Sequence, residues 1–208
     1  MDIFEDLKNN FSVDEPIFID DIQSIFPERS RPWIDKAIRE LVEKKAIKRY
    51  STGIYYIPRK TLFGDSILSP EKIISKRYIS NKDNVYGYIS GISLLNSVGL
   101  TTQVPNIITI VTNKESSRGR KIYVGNQCVY ISRPNAPINS ANSATLKFLE
   151  IIKTVNPDEL DKIEKSNLKK YIDENNITLY KVSKYCEYFP DYVSKRILGG
   201  RVFEQLAQ

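Results

Sequence analysis

The sequence predicts an α+β protein of two units. The first, about residues 1–60, holds short helices and a hairpin; the second, about 61–208, holds a small antiparallel sheet (about 61–140) followed by a C-terminal helical layer (about 142–208). Three observations carry this. Apolar residues recur every three to four positions in the first forty-odd residues and again from Asn142 onward. Between them lie three runs of alternating or β-branched residues, Ile107 to Thr112, Arg120 to Val124 and Gln127 to Ile131. The chain of 208 residues is 41% hydrophobic and 27% charged, ordinary globular usage that excludes wholesale disorder and is long enough for two cores.

In chain order, Asp2 to Asn10 reads as a short amphipathic helix with Ile3, Phe4, Leu7 and Phe11 as its buried stripe. After Pro16, Phe18 to Phe26 reads as a second helix that buries Ile22, Ile25 and Phe26 and stops before Pro27, because a residue preceding proline avoids the helical region. Ser30 suits an N-cap and Pro32 a first turn, so a third helix is expected from there through Trp33 to about Lys44. Its two arcs differ: Ile34, Ala37, Ile38, Leu41 and Val42 face one way, Pro32, Lys36, Arg39 and Glu43 the other. Ala46 to Tyr50 and Ile54 to Ile57 flank Ser51-Thr52-Gly53 as a hairpin. Three short helices and a hairpin, the last helix and hairpin both basic, is the order of a winged helix-turn-helix DNA reader.

The charge distribution agrees. The net charge is +6, but residues 1–28 carry one basic and eight acidic side chains, and residues 29–60 ten basic and three acidic. A small domain polarised in this way turns one face to an anion. DNA reading requires side chains near the N-terminal end of a helix that reach base edges, and cations that displace counterions from phosphates. Ser30, Arg31, Trp33, Lys36 and Arg39 occupy those helix positions, and Lys48, Arg49, Ser51 and Thr52 place a wing against the backbone. The same charges suit the surface of a protein-interaction module, and Trp33 sits at the edge of the apolar arc where it also suits the core.

Arg59 to Asp65 reads as a linker, and Ser69-Pro70-Glu71 opens a helix carrying Ile73, Ile74 and Tyr78. Ser90 to Val98 is a further short helix stopped by Gly99, and a polar passage leads to Pro105 and the three strands, the last two joined at Gly125-Asn126. The helical layer should bury Leu146, Leu149, Ile152 and Val155, then Leu160, Ile163, Leu168 and Ile172, then Leu179, Val182, Tyr185 and Phe189; Gly199-Gly200 reads as a helix stop.

Catalytic chemistry is not expected. There is no histidine, which removes histidine triads, H-E-x-x-H metal sites and Cys2His2 zinc together. Cys128 and Cys186 fall in strand and helix patterns with no base in view, Asp65, Asp83 and Glu115 form neither a nucleotidyltransferase's G-S-x-D-x-D run nor a metal-binding cluster, and the sequence has no Walker loop, so neither a catalytic residue, a metal nor a cofactor is assigned. No apolar run approaches the roughly 20 residues of a membrane span, and the acidic N-terminus is unlike a secretory signal, so the expectation is a cytoplasmic protein with free thiols and no membrane partner. Two polar stretches of the second unit remain. Arg118, Arg120 and Lys121, with Ser116, Ser117 and Gly119, could hold a phosphate or an RNA backbone through amides and cations, or form an ordinary solvated loop. Thr101, Thr102 and Gln103 could line a groove or hydrogen-bond the turn feeding the first strand.

The run Gly91-Ile92-Ser93-Leu94-Leu95-Asn96-Ser97-Val98-Gly99-Leu100-Thr101-Thr102-Gln103-Val104-Pro105 resembles the signature of AbiEi-type antitoxins of type IV toxin–antitoxin systems. Gly53 to Pro58 resembles that family's wing-to-linker sequence, and Tyr188 to Gly199 its closing helix, without the alanine-rich face expected there. The resemblance implies an antitoxin encoded with an AbiEii-like nucleotidyltransferase toxin. Its winged helix would repress the shared promoter by binding inverted repeats in double-stranded DNA, and its larger domain would counteract the toxin without a stable complex. Two alternatives stand beside it: a winged-helix protein with a C-terminal nuclease or modifying enzyme domain, and a second helix-turn-helix at Leu179 to Leu198 bearing Lys195 and Arg196.

Overall fold

The computed structural model describes residues 3–199; Asp2, the expected start of the first helix, and Gly200, half of the expected helix stop, lie outside them. Mixed α+β architecture is what these residues form, in two compact units divided between Ile73 and Ile74.

The first unit runs α1 (Ile3–Asn10), β1 (Ile17–Phe18), α2 (Ile19–Ile25), α3 (Arg31–Glu43), β2 (Lys48–Ser51), β3 (Ile54–Tyr56), β4 (Lys60–Thr61) and β5 (Gly64–Asp65). Leu7, Ile17, Ile22, Ile34, Ile38 and Ile47 are sealed from solvent in a single core; each such side chain stabilises the unit by about 1.5–3 kcal/mol before entropy is counted. One expectation is corrected here. Phe18, assigned from sequence to the second helix, is a strand residue: Ile17 and Phe18 pair antiparallel with Tyr55 and Ile54, completing a sheet of order β1-β3-β2. The Phe18 amide donates to the Asp21 carboxylate at 3.1 Å, which starts α2 one residue later. Nor is Arg59 to Asp65 an unstructured connection. Lys60–Thr61 and Gly64–Asp65 form a small hairpin, closed by the Arg59 amide donating to the Ser66 hydroxyl at 2.8 Å and the Tyr56 hydroxyl donating to the Ser66 carbonyl at 3.0 Å. Leu62 and Phe63 stand fully exposed at its tip.

In the second unit, α4 (Pro70–Ile74), within which the division falls, runs into a π-helical turn at Ser75–Ile79. Then come β6 (Ser80–Asn81), β7 (Asn84–Val85), β8 (Gly87–Ser90), α5 (Gly91–Val98), β9 (Ile107–Thr112), β10 (Arg120–Val124), β11 (Gln127–Ser132), α6 (Ser143–Thr154), a 3-10 turn at Pro157–Glu159, α7 (Lys162–Glu174), α8 (Leu179–Cys186) and α9 (Asp191–Gly199). The four-stranded sheet has the order β10-β11-β9-β8. Its β8·β9 and β10·β11 pairs are antiparallel, but the central β9·β11 pair is parallel, Ile107 opposite Cys128 through Val111 opposite Ser132. The sheet is therefore mixed rather than wholly antiparallel, because the chain leaving β9 skips one strand position and the second arm of the hairpin fills the gap.

One face of this sheet packs Ile110, Val129 and Ile131 with Ile74, Tyr78 and Ile79; the other presents Tyr88 and Val111 to the helical layer. α6 is buried nearly all round, through Leu146, Phe148, Leu149, Ile151 and Ile152, and packs with α5, α8, α9 and β8. Two residues assigned to buried stripes are not in the core: Ile163 is 72% exposed and Leu179 51%. Both lie in the first turn of their helices, ahead of the residues that make the contact, Leu168 and Ile172 on α7 and Val182 on α8. α9 is held to α6 by Arg196, whose Nη1 donates to the carbonyls of Ile152, Lys153 and Val155 at 2.8, 3.1 and 3.3 Å. That cation satisfies the end of a helix and is not offered to a ligand.

Candidate nucleic-acid interface

Helix α3 rests on the first core through Ile34, Ile38 and Leu41, so the 3.6-residue repeat sends Lys36 and Arg39 outward. Neither of these cations has an ion-pair partner among the described residues. Arg31 is half-exposed and shared between Asp35 at 3.2 Å and Asp20 at 3.8 Å. Ser30 occupies the N-cap, its carbonyl accepting the Ile34 amide at 3.1 Å while its hydroxyl makes no capping bond. Trp33 is 38% exposed and belongs to the rim rather than the core. Its ring lies 6.2 Å from that of Phe26 and carries the Arg29 guanidinium 4.7 Å above it, a cation–π contact that fixes Arg29 beside the N-terminus of α3.

Across a groove of about 400 Å³ lined by Arg31, Arg39, Arg49, Thr52 and Tyr55 stands the β2–β3 turn. A bulge between Arg49 and Ser51 and a positive φ of 73° at Gly53 make this turn tight. Arg49 is oriented by its own loop, Nε donating to the Ser51 carbonyl at 3.3 Å and Nη2 to the Thr52 hydroxyl at 3.1 Å, and both Ser51 and Thr52 are exposed. Lys48 is spent differently. It pairs with Asp65 at 3.3 Å, beside Lys60 at 2.7 Å, and the hydrogen bond from Lys60, then that from Lys48, holds the Asp65 carboxyl below the usual carboxylate range. Lys48 therefore braces β2 against the β4–β5 hairpin.

In the second unit, the two polar stretches lie at opposite ends of β9 and form no common site. Thr101 serves its turn: its carbonyl accepts Asn96 Nδ2 at 3.3 Å and its hydroxyl accepts the Gln103 amide at 3.2 Å, while Thr102 and Gln103 are exposed. In the stretch after β9, the anion is already supplied from within. Buried Glu115 accepts the amides of Ser116 and Ser117 at 3.1 and 3.0 Å and Arg120 Nε at 2.8 Å. The Ser117 amide above all, opposed by burial and aided by the Ser117 side chain and Arg120, holds this carboxyl below its usual range. The amides and Arg120 thus embrace a carboxylate, Lys121 is exposed on the edge strand, and Arg118 instead lines a cleft with Arg133, Lys153 and Glu150. Sequence reasoning missed the last three. The available signal was Glu150 itself, a carboxylate inside Phe148-Leu149-Glu150-Ile151-Ile152.

Cys128 and Cys186 are half-buried free thiols. Among the described residues, no group of three or more Cys, Asp or Glu could hold a metal ion, and no helix is long and apolar enough to cross a membrane.

The profile described as "Family of unknown function (DUF6088)" matches residues 6–179. No curated protein matches the chain. Among solved structures, the crystal structure of RV2827C protein from Mycobacterium tuberculosis is similar at a TM-score of 0.42 and 14% sequence identity, over 94% of this chain and 73% of that one.

Proposed function

This chain belongs to the family of unknown function DUF6088, and we propose that it is a type IV antitoxin that also represses its own operon through a winged helix-turn-helix in its first sixty residues. In this reading α2 and α3 are the helix-turn-helix and the β2–β3 turn is the wing. The observation that carries it is the pair of exposed cations Lys36 and Arg39 on α3, neither with an ion-pair partner among the described residues, the second of them lining one groove with Arg49. α3 enters the major groove of duplex DNA with Lys36 and Arg39 toward base edges and phosphates, and Arg49, Ser51 and Thr52 meet the backbone.

The antitoxin half of the proposal rests on the sequence resemblance of Gly91 to Pro105 and Tyr188 to Gly199 to AbiEi-type proteins. It assigns the second unit the task of opposing an AbiEii-like nucleotidyltransferase toxin in the cytoplasm, without catalysis. Gel-shift titration of the chain's own promoter at fixed salt tests the first half: K36E/R39E should remove the shifted band at concentrations that fully shift the promoter with the parent chain, and a variant that binds as tightly as the parent overturns the assignment of α3. Growth rescue on co-expression with the product of the adjacent gene tests the second half. A neighbour that is no nucleotidyltransferase, or growth that is not restored, overturns it.

A further inference from the structure

The second unit gathers three cations where the first unit's function makes no use of them. Arg118 comes from the loop after β9, Arg133 from the residue after β11, and Lys153 from the last turn of α6, and all three line one cleft of about 250 Å³. A single carboxylate opposes them. Glu150 Oε2 accepts the Lys153 ammonium at 2.8 Å and the Ser90 hydroxyl at 3.2 Å, so its charge is matched to Lys153 alone. Neither the Arg118 nor the Arg133 guanidinium has a hydrogen-bond acceptor or carboxylate among the described residues.

Two guanidiniums at one cleft without an internal acceptor leave a local positive potential, which an anion bound between them neutralises. Guanidinium forks match phosphate oxygens two at a time, which favours a phosphate over a simple halide or carboxylate. The wall supplies the rest of a ligand site. Tyr88 and Phe189, each almost wholly buried, close the apolar edge of the cleft, and Glu150 is an acceptor for a ligand hydroxyl. At about 250 Å³ the cleft lies just under the roughly 300–1,000 Å³ usual for small-molecule sites, so it encloses part of a mononucleotide and leaves the rest in solvent.

We propose that the cleft lined by Arg118, Arg133, Lys153 and Glu150 binds a small phosphate ester of the nucleoside monophosphate class, a ligand role beyond DNA reading and toxin opposition. Arg118 and Arg133 hold the phosphate, Glu150 positioned by Lys153 and Ser90 accepts a sugar hydroxyl, and Tyr88 and Phe189 lie against the uncharged part.

Isothermal titration of the full chain with adenosine 5′-monophosphate, inorganic phosphate and adenosine tests this. The nucleotide should bind saturably with one site per chain, about tenfold or more tighter than inorganic phosphate, and adenosine should bind about a hundredfold more weakly. R118E/R133E should remove nucleotide binding. R118Q/R133Q, which removes both charges without reversing them, should weaken it about tenfold or more while preserving the melting temperature. No saturable nucleotide binding up to about 10 mM, binding unchanged in R118Q/R133Q, or equal affinity for phosphate and nucleotide would each overturn the proposal.

Discussion

Lys36 and Arg39 on α3 and Arg120 at the start of β10 belong to stretches of similar basic character, yet only the first two are left without an internal partner. The difference lies in what the neighbouring backbone does. On α3, the helix ladder satisfies the amides and Asp35 is taken by Arg31, so the outward cations meet no acceptor. In the loop before β10, free amides at Ser116 and Ser117 collect Glu115, and Arg120 closes over the resulting carboxylate. Counting cations therefore locates basic surface, and it takes the pairing to separate cations that can neutralise a ligand from those that neutralise the protein.

The largest effect should come from reversing the free pair. K36E/R39E is expected to weaken duplex binding on the order of a hundredfold and to reduce the steepness of the log affinity against log salt plot by about two, measured by fluorescence anisotropy across a salt series. R120E in the same assay should change affinity by less than about threefold; a loss matching that of K36E/R39E would erase the contrast between the two regions.

Next in size is the internal anion. Glu115→Gln leaves Arg120 unpaired and weakens the hold on two amides, and should cost about 1–3 kcal/mol in urea unfolding. An unchanged midpoint would mean that the loop does not depend on its carboxylate. The same residue gives a pH signature. Its folded-state carboxyl lies below its ordinary value of 4.5, so its stabilising contribution is complete above that value and is lost as pH falls through the lower, folded-state one. Thermal melts from neutral pH to about pH 3 should show the gap between parent and Glu115→Gln constant above pH 4.5 and closing below it. The smallest effect is expected at Lys48: with its ammonium on Asp65, K48A should alter duplex affinity by less than about threefold, and a large loss would return Lys48 to the DNA-facing set.

Local rules made much of the fold legible. The two arcs of α3 follow from its repeat, and Gly99 marks the end of α5 because a left-handed residue, φ 74°, closes that helix. Within the most distinctive sequence run, Gly91 to Pro105, such geometry explains Gly99: a Cβ there would come 2.7 Å from Asn167 Nδ2, which donates to the Gly99 carbonyl at 2.9 Å. What depended on distant partners was not legible. β1 is two residues long and exists because the edge of β3 accepts it. The parallel β9·β11 pairing depends on which strand fills a gap. The cleft draws Ser90, Arg118, Arg133, Glu150 and Lys153 from across the second unit, with no spacing that a motif could encode.

The burial of α6 on almost every side has a consequence for biosynthesis. Strands β8 and β9 leave the ribosome well before Ser143, so Tyr88 and Val111 emerge with no helix to cover them. At about 5–20 residues per second, the nascent sheet waits some seconds for its lid. During that interval the half-made unit is a sticky surface, and slow codons between Ser132 and Ser143 should lower the soluble yield of the protein without altering a single contact in the finished molecule.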